Sequence, residues 1–255
     1  MTHSDLGGGF LSEPRESGDT VILAGALAGA GALGLASPVS IDARLDADAR
    51  AWLDEVGFRS KRLCSLSQQH GAEIVSASLL ERKRSPDADG IWTDSSSDLL
   101  AIRTADCAAM WIVDPRNHRL CMLHAGWRGA AAGIVPAGVR ELAGAGGDPR
   151  EFIAAVGPHL RPCCFEVGPE VAISFQQIEG AILPAKELLA PRMRSDSVAL
   201  DFSAVLNDAF GRCGVPAESV HIATACTRCH PDLFHSYRRN GAGGPLMISV
   251  GVLTS

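Results

Sequence analysis

Residues 99–129 read LLAIRTADCAAMWIVDPRNHRLCMLHAGWRG, and this stretch decides the fold. Leu99-Leu100-Ala101-Ile102 is a short apolar run that ends at Thr104-Ala105-Asp106, which reads as a buried strand and its exit. Trp111-Ile112-Val113 reads as a second strand, and Arg119-Leu120-Cys121-Met122-Leu123 as a third that opens into Ala125-Gly126-Trp127-Arg128-Gly129. Outward from this centre the pattern alternates. Helical spacing is predicted over residues 47–56, 129–142, 169–177 and 202–213, with Pro136 working against the interior of the second and Gly214 ending the last before Pro216. Strands are predicted over 72–77, 153–156, 220–223 and 246–252, and residues 233–237 are strand-like. Residues 82–89 and 183–197 read as polar loops. Mixed strands and helices without an internal repeat predict an α/β (α+β) fold, a single-domain multilayer sandwich with a mixed β-sheet. Residues 1–60 form the amino-terminal segment of that domain and 61–255 its metal-binding core.

Three residues carry chemistry. His70 lies in Ser-Gln-Gln-His-Gly, Cys107 directly after the first strand's exit, and His124 at the end of the third strand. Two imidazoles and a thiolate suit zinc or copper, and three protein ligands leave a fourth position open. Strand ends are where a sheet fixes a ligand and a loop leaves it accessible. The competing reading makes Cys107 a small core hydrophobe and the histidines satisfied polar residues.

The amino-acid types surrounding these positions resemble a known family. Gln68-Gln69-His70-Gly71, Ala88-Asp89-Gly90, Thr104-Ala105-Asp106-Cys107, His124-Ala125-Gly126-Trp127-Arg128-Gly129, Gly157-Pro158, Phe165-Glu166-Val167, Cys226-Thr227 and Ser236-Tyr237-Arg238-Arg239 occur in the order seen in laccase-domain (polyphenol oxidase-type) proteins. The resemblance runs from about His70 to the carboxyl end, and residues 1–60 diverge from it. A second departure is His159, where the family pattern has Cys; it is either a neighbouring ligand or a loop histidine, and the loop is preferred. The resemblance implies a zinc-dependent purine nucleoside phosphorylase, with adenosine deaminase and methylthioadenosine-cleaving activity, acting on a purine nucleoside and phosphate. An older multicopper label keeps a copper-dependent polyphenol oxidoreductase as one alternative, and the divergence of residues 1–60 keeps a non-catalytic metal-binding descendant as another. A multicopper oxidase needs His-x-His pairs, and none of the eight histidines is so paired. Metal chemistry then suggests roles. A metal at His70, Cys107 and His124 would lower the pKa of water for deamination, while phosphorolysis needs an anion site, for which the planar fork of arginine suits phosphate. Arg128 is the catalytic candidate beside the metal turn, and Arg238 and Arg239 are substrate-binding candidates. Asp106 either orients water or an imidazole or simply caps its turn.

Composition narrows the partners. A net charge of −6 among 255 residues argues against a nucleic-acid face. Eight cysteines are too few for a disulfide scaffold, so a reducing compartment is expected. The apolar stretch over residues 21–36 follows Asp5, Glu13, Glu16 and Asp19 where a signal peptide would be positive, and it is too short to span a bilayer, so the expectation is cytoplasmic with no membrane partner.

Two motifs are decoys. Gly29-Ala30-Gly31-Ala32-Leu33-Gly34 satisfies a dinucleotide pattern, with Asp48 at a tolerable distance for a ribose contact, but Pro38 follows too soon for the helix the pattern must open; a loop or strand pair is expected. Cys226-Thr227-Arg228-Cys229-His230 spells a haem-attachment pattern, yet Pro231-Asp232 interrupts it; a packed Cys226 is expected, with Cys229-His230 an accidental extension.

Overall fold

The computed structural model describes residues 10–14, 20–24, 27, 30–41, 47–80, 85–184 and 196–254. Two six-stranded mixed sheets lie face to face. The first runs β1 (Phe10–Pro14), β2 (Thr20–Ala24), β3 (Ala32–Ile41), β15 (Leu246–Leu253), β7 (Asp98–Thr104), β4 (Arg62–Ser65), antiparallel except for β4 and β7. The second runs β14 (Val220–Ile222), β10 (Ile153–Val156), β8 (Ala108–Asp114), β9 (Arg119–Ala125), β6 (Gly90–Thr93), β5 (Ile74–Ser76), with parallel pairs at its two edges. A small antiparallel sheet of β11 (Glu166–Val167), β13 (Val198–Leu200) and β12 (Ile182–Leu183) completes the strands.

The layering follows from the period-2 direction of strand side chains. On β8, Ala109, Trp111 and Val113 point into the inter-sheet core beside Leu100, Ile102 and Met247 of the first sheet. Met110 and Ile112 point the other way, onto α3 (Ile134–Gly144) and α5 (Phe202–Arg212). The outer face of the first sheet packs Val250 and Val252 against Trp52 and Leu53 of α1 (Ala47–Glu55). The result is a four-layer α/β/β/α sandwich, and a strand covered on both faces reads as a continuous apolar run, as Ala108–Val113 does. Trp111 locks the two sheets. Its Nε1 donates to Val250 O at 2.9 Å, and its ring lies against Gly34 and Gly251, cross-strand partners where a Cβ would come within 3.1 and 2.9 Å of it.

That slot explains the dinucleotide-like motif. Gly34 sits within β3, a strand and not a helix start, and the glycine makes room for an indole; Gly29 and the side chain of Asp48 lie outside the described residues. The predicted helix 129–142 is two helices, α2 (Trp127–Ala131) and α3, separated by Gly133 at φ 88. Pro136 consequently falls in the first turn of α3, where its missing N–H costs nothing. Residues 169–177 form only a short helix, α4 (Pro169–Ala172), before turns. The strand-like residues 233–237 are a turn leading into α6 (Tyr237–Asn240), whose start is capped by Ser236 Oγ accepting from Arg239 N. The polar loop expected at 82–89 ends in a fully buried acid, Asp89; residues 81–84 and 185–195 lie outside the described set. Among the described residues no helix is long and apolar enough to cross a membrane.

Candidate metal centre

The antiparallel pairing of β8 with β9 sets Ala109 opposite His124. Cys107, two residues before Ala109, thereby arrives beside the imidazole. The loop after β4 brings in His70, and Gln68 fixes that loop by exchanging bonds with the Arg103 backbone at 2.7 and 2.9 Å. Donor atoms of His70, Cys107 and His124 all lie within 4.8 Å of one another, and the two rings meet edge to face at 4.8 Å. Tetrahedral zinc sets mixed nitrogen and sulfur donors roughly 3.3–3.6 Å apart, which small side-chain rotations reach. Gly126 leaves the space for this: a Cβ there would lie 3.0 Å from both Cys107 Sγ and His70 Cδ2. The donor set and its cradle fit a metal ion.

One residue the sequence reading did not single out organises the centre. Asp89, buried at 0% exposure, accepts His124 Nδ1 at 2.7 Å and the backbone N–H groups of Gln69, His70 and Gly71 at 3.1, 2.9 and 2.7 Å. Four donors on one carboxylate hold both histidines in place, and with Nδ1 engaged Nε2 is the His124 nitrogen left free for a metal. Burial alone would raise the Asp89 pKa, but these bonds outweigh it and lower it. The signal in the sequence was an acidic residue at the entry to an apolar strand, within Ala88-Asp89-Gly90.

Electrostatics prepare the ligands. Burial opposes the Cys107 thiolate, yet hydrogen bonds from His124 and His70 lower its pKa to about 7. Burial likewise disfavours a charged His124, but Asp89 and Cys107 raise it to about 9. Without metal the thiolate–imidazolium form of the pair is favoured between about pH 7 and 9, and a bound cation would take the place of the imidazolium proton. His70 and Asp106 both hold left-handed backbone, at φ 60 and 84. Such conformations persist at non-glycine positions when surrounding bonds enforce them.

The other predicted residues are distributed differently from one another. Arg128 is exposed, with its guanidinium 4.4 Å over the Trp127 ring, and it lines the same cleft of about 590 Å³ as the three metal-site residues. Arg238 also lines that cleft, anchored by Nη1 and Nη2 to Glu166 O at 3.0 and 3.1 Å. Arg239 turns elsewhere, donating to the carbonyls of Thr227, Arg228 and Phe234. Asp106 accepts from Thr227 Oγ1 at 2.6 Å, Ser236 Oγ at 3.0 Å and Arg238 N at 2.6 Å, so its carboxylate pins the carboxyl-terminal loop to the Cys107 turn. His159 sits in the loop after β10 and outside the His70, Cys107 and His124 group. It is fully buried, with Nδ1 on Gly157 O and Nε2 on Ser203 Oγ, and burial depresses its pKa to about 4, keeping it neutral.

This site and sandwich define a class. The chain belongs to the family described as multi-copper polyphenol oxidoreductase laccase, whose model matches residues 41–252 and so begins well before His70. A relative is the purine nucleoside phosphorylase YlmD of Geobacillus stearothermophilus, 31% identical over 215 residues, covering 78% of this chain and 74% of that one. The crystal structure of YlmD from the same organism superposes with a TM-score of 0.81 at 25% identity, covering 97% of this chain and all of the other. The chain is also similar to adenosine deaminase RL5 from an unknown prokaryotic organism, 30% identical over 153 residues, 60% of this chain and 57% of that one.

Proposed function

We propose that this chain is a purine nucleoside phosphorylase that takes a purine nucleoside and phosphate in the cleft beside His70, Cys107 and His124, with zinc as the metal. Adenosine deamination and cleavage of methylthioadenosine are the further activities of the same centre. The observation that carries the reading is that Arg128 and the metal-site residues line one cleft, of a size that suits a nucleoside.

Bound zinc supplies Lewis acidity beside the reacting centre. In phosphorolysis a phosphate oxygen bonds to the ribose anomeric carbon, the glycosidic bond breaks, and the base leaves with its electron pair and takes up a proton. Arg128, steadied on Trp127, holds phosphate by two-point contact and balances its charge. Arg238, held by Glu166 O, presents a second cation on the cleft wall. Phe165 and Trp127 offer apolar faces for the base. Asp106 acts as a positioning residue that keeps Arg238 and the Cys107 turn in register. The donor set also accepts copper, and among the described residues the only other metal-type cluster contains cysteines alone, without the histidines of a multicopper oxidase. Eight free thiols suit the cytoplasm, where we place the chain.

Steady-state kinetics with phosphate varied at saturating inosine or adenosine tests the proposal. Base release is expected to require phosphate. Arg128→Ala is expected to raise the phosphate KM by roughly 10- to 150-fold, the equivalent of about 1.5–3 kcal/mol for a lost charge-assisted contact, with metal content unchanged. Arg128→Lys should recover part of this, since an ammonium makes one contact where the fork makes two. Phosphate-independent base release, or no turnover of any nucleoside by zinc-replete protein, would refute the assignment.

A further inference from the structure

A second cluster of metal-ligating side chains lies outside the centre described above. Parallel strands β10 and β14 are neighbours, so the loops leaving their carboxyl ends emerge side by side. The first loop carries Cys163 and Cys164, the second Cys226 and Cys229. The loops are joined by a bridge between His159 and Cys226 and by Thr227 N donating to His159 O at 3.2 Å. All four sulfurs lie within 4.8 Å of one another. Cys229 Sγ is 3.7 Å from Cys163 Sγ and 3.4 Å from Cys164 Sγ.

These separations discriminate between occupants. Zinc–sulfur bonds of about 2.3 Å in a tetrahedron place the sulfurs about 3.8 Å apart, close to the values here. A disulfide needs its sulfurs at about 2.05 Å. An iron–sulfur cluster binds its cysteines through separate iron atoms and spaces them more widely. The second half-site is a closed turn, with Cys229 N donating to Cys226 O at 3.2 Å. Arg239 stiffens the turn by donating Nη1 to the carbonyls of Thr227 and Arg228.

We propose that Cys163, Cys164, Cys226 and Cys229 form a second, four-thiolate zinc site, closed to substrate, that clamps the loop after β10 to the loop after β14. Four sulfur ligands fill the tetrahedron, so the role is structural. Binding releases the thiol protons and leaves a dianionic centre, which Arg161 and Arg228 flank in the chain. What the clamp holds is the cleft wall: Phe165 follows Cys164 directly, and Thr227, Ser236 and Arg238, which grip Asp106, follow in the second loop. In this reading Cys229 is a ligand, and the Cys-x-x-Cys spacing is half of a metal site whose other half lies on a distant loop.

The test is metal stoichiometry on the full chain purified under reducing conditions with zinc supplied. Two equivalents per chain are expected. Cys163→Ser and Cys229→Ser, both at exposed positions, should each remove one equivalent and leave the other in place. His124→Ala should remove one independently, and the combination of His124→Ala with Cys229→Ser should remove both. Cobalt substituted into His124→Ala protein should show the intense thiolate charge-transfer absorption of a four-sulfur tetrahedral site, lost in the added Cys229→Ser variant. Hydrogen exchange in residues 158–165 and 223–239 should rise on loss of this metal while the β8–β9 core stays protected. One equivalent that His124→Ala abolishes, with Cys229→Ser leaving content unchanged, would overturn the proposal. So would a mass two hydrogens light with a disulfide mapped to Cys229. Neither readout depends on nucleoside turnover, so failure here is distinct from failure of the phosphorylase assignment.

Discussion

Replacing Asp89 by Asn probes the centre at the point where most of its bonds converge. One carboxylate oxygen accepts Gln69 N and Gly71 N, the other His70 N and His124 Nδ1. An amide turns one of these oxygens into a donor, so in either orientation two donors face an N–H. With the amide nitrogen toward the loop, the turn carrying His70 loses two bonds. With it toward His124, the imidazole must shift its proton to Nε2, which can no longer ligate. Two charge-assisted bonds at about 1.5–3 kcal/mol each give a destabilisation of roughly 3–6 kcal/mol. In a chain of this size that lowers Tm by roughly 6–24 °C. Zinc affinity should fall roughly 10- to 100-fold, the usual effect of losing the partner behind a ligating histidine. Chelator competition and thermal melts of metal-free and metal-loaded protein measure the two terms separately. A variant whose Tm and zinc affinity both match wild type would refute the idea that Asp89 organises the site.

The pH dependence of metal binding follows from the two shifted ligands. His124 must lose a proton below about 9 and Cys107 a second below about 7, so competition titrations should show affinity falling about tenfold per pH unit between those values and about a hundredfold per unit beneath them. In metal-free protein, stability from the raised His124 pKa is lost as pH rises through about 9 and that from the lowered Cys107 pKa as pH falls through about 7. Melts should therefore show the contribution of the Cys107–His124 pair greatest between these values, and Cys107→Ser should lose the Cys107 part while Asp89 still raises His124. Gly126→Ala should drive a methyl against Cys107 Sγ and His70 Cδ2 and weaken zinc roughly tenfold or more, with circular dichroism unchanged; full metal occupancy at wild-type affinity would show that the cradle is not required.

Local pattern made much of the architecture legible. Apolar runs such as Leu99–Ile102 and Trp111–Val113 announce buried strands because both of their faces are covered, and His124 and Cys107 are conspicuous because they stand near the ends of such runs. Local signals fail where a neighbour from elsewhere overrides them. Residues 233–237 are apolar enough for a strand, but Asp106, far off in the chain, binds Ser236 and the Arg238 backbone and holds the segment in a cap. Arg238 and Arg239 are indistinguishable as sequence, yet one is anchored on the cleft wall and the other against the Cys226–Cys229 turn.

What the sequence determined by itself is the central strands, such as Leu99–Ile102 and Arg119–Leu123, and the donor chemistry offered by His70, Cys107 and His124, since periodicity and side-chain chemistry are properties of short segments. Tertiary structure alone decided which donors meet. Asp89 reaches His124 across 35 residues because β6 pairs antiparallel with β9, and Cys164 meets Cys229 across 65 because β10 and β14 run parallel and side by side. Neither encounter has a local signature: the free energy that enforces each is spread over two packed sheets, and the residues that benefit contribute little of it.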